Sequence, residues 1–144
     1  MIEQDTIKLL RECDAGVKMG VDSINDVLDC VRSSSLKEIL SQCKAEHRKL
    51  EREISHHLDR FGDDGKEPAA MASVMSKMKT NMKLAINDSD ATIADLMTDG
   101  CNMGVKSLNK YLNQYEAADE FSKDITKRLI KLEQQLSMDM QAYL

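Results

Sequence analysis

Tryptophan is absent from this 144-residue chain, and aromatic residues make up only 3% of it. Proline occurs once and glycine six times. Sheet proteins draw on aromatic strands and on frequent turn residues, so these scarcities argue against β-structure and for helices. No apolar run reaches transmembrane length and no N-terminal signal pattern is visible, so a cytoplasmic protein without a membrane role is expected. Cysteine occurs four times, at positions 13, 30, 43 and 101, with no C-x-x-C pair. A zinc knuckle or thioredoxin-type motif is therefore not expected, and buried reduced thiols are. Basic excess is also missing. The net charge of −5 argues against general nucleic-acid binding, which needs a basic face. What is abundant is methionine, with ten residues, and charge, at 31%. Both suit a helical protein long enough for one packed core.

The apolar periodicity defines four long helices. Ile7, Leu10, Asp14, Val17, Val21, Ile24, Leu28 and Val31 form a 3-4 seam in the first. Ser35-Leu36-Lys37-Glu38 reads as a capping box that starts the second. That helix carries Leu36, Leu40, Cys43, His47, Leu50, Ile54, His57 and Phe61 and stops at Gly62 to Gly65, ahead of Pro68. A short helix with Met71, Met75, Met78 and Met82 on one face is expected from Ala69 to Ile86. The third long helix runs from about Asp90 to Tyr115. The fourth carries Ile125, Leu129, Leu132, Leu136, Met140 and Tyr143.

An internal repeat organises these elements. Cys13-Asp14-Ala15-Gly16-Val17-Lys18 returns 88 positions later as Cys101-Asn102-Met103-Gly104-Val105-Lys106. The expected architecture is an all-α four-helix bundle in one domain. It comprises a hairpin over 5–61, a crossover over 62–88 and a second hairpin over 89–143. The crossover is needed for two related hairpins to pack about a pseudo-twofold axis, and an 18-residue helix spans roughly 27 Å, enough to return along the bundle. Gly16 and Gly20, and likewise Gly100 and Gly104, are expected to form patches where another helix approaches closely.

With the C-[DN]-x-G-V-K repeat, the Gly-Pro break and the Met-rich crossover, the chain resembles an uncharacterised bacterial family of ferritin-like four-helix bundles, grouped with ferritins and rubrerythrins. The resemblance covers roughly Asp5 to Tyr143. It implies a ferritin-like bundle, a setting that often holds two iron or manganese ions with one Glu on each of two helices and Glu-x-x-His on the others. One such match is present, Glu53-Ile54-Ser55-His56. No histidine lies outside the second helix, and Asn102 replaces Asp14 in the repeat.

Half a site remains conceivable in the first hairpin. With the turn near residue 34, Asp14 lies level with Ile54, which groups Glu12, Asp14, Glu53, His56 and His57. Carboxylates with imidazole suit iron, manganese or zinc. The alternative is a buried Asp14 paired with His57, which would fix register without metal. His56 and His57 point about 100° apart, which hinders joint ligation. His47, level with Val21, is expected to be a core or rim histidine with a backbone or water partner.

Two functional readings follow. The first is a non-enzymatic scaffold or stress-related bundle with an unidentified protein partner, no complete di-iron site and no cofactor, self-associating as a homodimer through its helix faces. The second is a metal-binding or redox protein using the asymmetric carboxylate/His cluster. The lack of histidine in the third and fourth helices favours the first. No catalytic residue is assigned.

Overall fold

The computed structural model describes residues 2–68, 80, 81, 84 and 87–144. Among these, four long helices are present and no strand: α1 (Ile2–Leu28), α2 (Ser34–Asp59), α3 (Asp90–Gln114) and α4 (Glu120–Met140), with a 3-10 turn at Gln141–Tyr143. The methionine stripe expected from Ala69 to Ile86, Met71, Met75, Met78 and Met82, lies outside the described residues. No described helix is long and apolar enough to cross a membrane.

The helix starts follow from side-chain capping. Ser33, Ser89 and Asp119 are extended, and their side chains accept the amide N–H of Leu36, Thr92 and Ser122. The second helix is thus capped by Ser33 and not by Ser35. Three consecutive serines compete there, and Ser33 is the one with extended backbone. The Ser35 hydroxyl instead lies 2.6 Å from the Tyr143 hydroxyl. At the other end of α2, Gly62 (φ 68°) turns the chain out of the helix.

The α1–α2 and α3–α4 pairs are hairpins, and each helix of one packs on a helix of the other. The hairpins lock reciprocally. Asp90, in the first turn of α3, accepts the backbone N–H groups of Arg32 and Ser33 in the α1–α2 turn, both at 2.8 Å. At the opposite end, Asp5 and Thr6 in α1 accept the N–H groups of Ala117 and Asp119 in the α3–α4 turn, at 3.0 and 2.8 Å. This exchange places the start of α3 beside the start of α2. The two helices therefore run parallel, the orientation that two repeat-related hairpins require.

The crossover leaves over α1. Asp14 accepts the Lys66 N–H at 2.9 Å and pairs with Lys18 at 2.8 Å. Lys66 Nζ reaches Glu12 at 2.5 Å, Arg11 reaches Asp63 at 2.8 Å, and Lys18 also reaches Glu67 at 3.0 Å.

The core has two apolar clusters. One gathers Leu10, Val17, Leu50, Ile54, Leu108 and Leu129. The other gathers Ile24, Leu36, Leu40, Met97, Cys101 and Leu136. Burial of these aliphatic side chains, each worth about 1.5–3 kcal/mol, is the main stabilising force.

The glycines do not act as paired helix-approach patches. A Cβ on Gly16 or Gly100 would meet nothing within 4 Å. Gly16→Ala and Gly100→Ala are therefore expected to raise stability by up to ~1 kcal/mol each through helix propensity, read in urea unfolding. A loss of stability from either would show that these positions face an unseen neighbour. Gly20 and Gly104 differ, because each stands against a polar side chain.

Candidate functional site

Between the two apolar clusters the bundle has a polar waist, with one residue from each helix. Gly20 lies between Val17 and Ile24 on α1, and His47 lies between Cys43 and Leu50 on α2. Gly104 lies between Cys101 and Leu108 on α3, and Glu133 between Ile130 and Leu136 on α4. In each hairpin the first helix supplies a glycine and the second a large polar side chain. A Cβ on Gly20 would sit 2.7 Å from the His47 ring, so only glycine leaves room for the imidazole. At Gly104 the Glu133 carboxylate would be 3.5 Å away, an ordinary contact.

His47 is fully buried. Its Nδ1 lies 2.8 Å from the Cys43 carbonyl, and its Nε2 lies 2.7 Å from a Glu133 carboxylate oxygen. Both neighbours are acceptors, so both ring nitrogens donate and the ring is an imidazolium. Burial alone would lower its pKa. The contact with the Cys43 side chain and the hydrogen bond to Glu133, with the Glu133 charge, outweigh burial and push it up to about 10. Two thiols flank the pair. Cys43 Sγ is 3.5 Å from Nδ1. Burial, with the Glu133 charge and a hydrogen bond to it, pushes the Cys101 thiol far up. Chemically the waist is a closed pair. Each ring nitrogen already has a protein acceptor, and neither proton is free for a substrate.

The sequence-selected cluster does not assemble. Asp14 is buried, but its carboxylate holds Lys18 and the Lys66 N–H, while Glu12 holds Lys66. Glu53 is taken by Arg128 of α4 at 3.0 Å. His57 faces Asp119 at 3.5 Å and lies against Phe121, with ring centroids 4.2 Å apart. His56 is exposed. The pairing of Asp14 with His57 is likewise not formed. Burial alone would raise the Asp119 carboxyl. The hydrogen bonds from Ser122 and His57 hold it below the usual carboxylate range. Among the described residues, no group of three or more His, Cys, Asp or Glu side chains is arranged to hold a metal ion.

The repeat also diverges in space. Cys13 and Cys101 are both buried, whereas Asp14 is buried and its counterpart Asn102 is exposed. Cys13 lies 3.2 Å from the Thr126 hydroxyl. That hydroxyl donates to the Ser122 carbonyl, so the thiol is the donor to it. Burial pushes the Cys13 thiol up to about 12 despite the Thr126 contact, which suits an unreactive packing group.

Glu133 was not among the residues selected from sequence. Its signal was present: an acid within the seam of the last helix, on the level of a glycine, mirroring His47 and Gly20. No curated protein and no solved structure matches the chain. One family model does, over residues 5–114, the span from α1 through α3. That match covers most of the chain, which belongs to the family described as Domain of unknown function (DUF2383).

Proposed function

We propose that this chain is a ferritin-like helical bundle of bacterial origin that works without catalysis, as a partner-binding or stress-related scaffold in the cytoplasm. The observation that carries this reading is the closed waist. Bundles that do metal chemistry place their ligands in the core on facing helices. Here that layer holds two glycines and a His47–Glu133 pair in which both ring nitrogens are taken, one by the Cys43 carbonyl and one by Glu133. A homodimer through helix faces belongs to the same proposal, supported by exposed Met103 and Met138.

The competing reading is an iron, manganese or zinc protein with an asymmetric site in the first hairpin. One observation favours it: Glu12 and Asp14 direct their carboxylates at two ammonium groups, and so already hold cationic charge. A metal there would have to displace Lys18 and Lys66.

Elemental analysis of protein incubated with ferrous iron, manganese or zinc and then desalted separates the two. The scaffold reading expects no stoichiometric metal and the same result for Asp14→Asn. One ion per chain, lost in Asp14→Asn, would overturn it.

A further inference from the structure

A groove of about 490 Å³ lies between the first half of α2 and the second half of α4. Its floor is apolar: Ile39, Cys43, Leu132 and Leu136. Three carboxylates, Glu38, Glu46 and Asp139, stand along it, and no lysine or arginine is among its lining residues. Among the described residues none of the three has a basic partner. Glu46 and Asp139 take only the amides of Gln42 and Gln135, at 3.4 and 2.9 Å.

We infer that this groove docks an amphipathic helix of a protein partner, with an apolar ridge flanked by lysine or arginine. The inference rests on the scaffold reading and names the chemistry of its partner. Shape supports a helix. The α2 wall runs from Ser35 to Glu46, roughly 16 Å or three turns of helix. A ridge at i, i+4 and i+7 presents side chains over that length. Charge complementarity supports a basic one. Carboxylates beside an apolar floor attract ammonium or guanidinium groups, and they penalise an acidic or purely apolar segment that would leave them desolvated and unpaired.

The test uses the full chain and a designed fluorescent peptide of about four turns, with leucines at i, i+4, i+7 and i+11 and lysines on either flank. The controls are a scrambled peptide of the same composition and a peptide with glutamates in place of the lysines. Fluorescence anisotropy is expected to show saturable binding of the first peptide only, weakening with salt. The Glu38→Lys/Glu46→Lys/Asp139→Lys variant, folded by circular dichroism, is expected to weaken binding by on the order of tenfold or more. Ile39→Gln, a half-buried position, provides a second variant that tests the floor without altering charge. Absence of binding, or equal binding of the scrambled peptide or of both variants, would overturn the proposal. Self-association that is lost in the same charge variant and competes with the peptide would overturn it too, by making a second copy the occupant. None of these outcomes bears on metal content, so failure of the groove and failure of the scaffold reading are distinguishable.

Discussion

Glu133→Ala is expected to destabilise the protein by about 3–5 kcal/mol, because it leaves His47 in the core either charged and unpaired or deprotonated with an unsatisfied Nε2. The two groups lie 2.7 Å apart, and their side chains are 1% and 12% exposed. The double change His47→Gln/Glu133→Gln is expected to recover most of the loss, since a neutral amide pair keeps a hydrogen bond without a buried charge. Urea unfolding of the wild type, His47→Gln, Glu133→Gln and the double variant gives the coupling. Equal losses in the single and the double variant would show that the pair contributes little and that Glu133 acts through packing alone.

The same pair makes stability depend on pH in a defined direction. His47 in the folded chain has its pKa pushed up to about 10, above its ordinary value of 6.5. The folded state therefore holds the proton more tightly than the unfolded state. The stabilisation is fully present below about pH 6.5 and is lost as pH rises through the folded value. Wild-type stability minus that of His47→Gln should fall between these limits. A difference that stays flat, or that grows with pH, would contradict a charged His47.

Gly65→Ala is the second large effect, at on the order of 2–4 kcal/mol. Gly65 has φ 89°, which an L side chain adopts at a cost. A Cβ there would also strike the Asp14 carboxylate. Asp14 would have to move, breaking its bond to the Lys66 N–H and loosening the start of the crossover. Gly62→Ala is the internal control. It has a similar φ of 68° but open space around it, so it should cost only the conformational part, ~1–2 kcal/mol. If the two alanine variants are equally stable in thermal unfolding, the Asp14–Gly65 contact is not under constraint. Adding Asp14→Ser to Gly65→Ala should cost less than the sum of the two single changes, because the clash is removed with the carboxylate.

The sequence by itself determined the helices and the hairpins. Leu36, Leu40, Cys43, His47, Leu50, Ile54 and His57 repeat at seam spacing and all are buried, because a helix on a core has one inward face whatever it packs against. Cys13 and Cys101 likewise face inward in both copies of the repeat. The reading of His47 as a core histidine with a backbone partner also holds, since the Cys43 carbonyl is one turn away on the same helix. What only the tertiary structure decided is which charged groups meet. Level-matching within the first hairpin groups Glu12, Asp14, Glu53, His56 and His57 because it takes no account of α4. In the fold, α4 brings Arg128 to Glu53, Asp119 to His57 and Glu133 to His47, and the crossover brings Lys66 to Glu12 and Asp14. Apolar periodicity is indifferent to the identity of its neighbour. An ion pair is not: it depends on the register between helices far apart in sequence, and that register is set by the packing of the whole bundle.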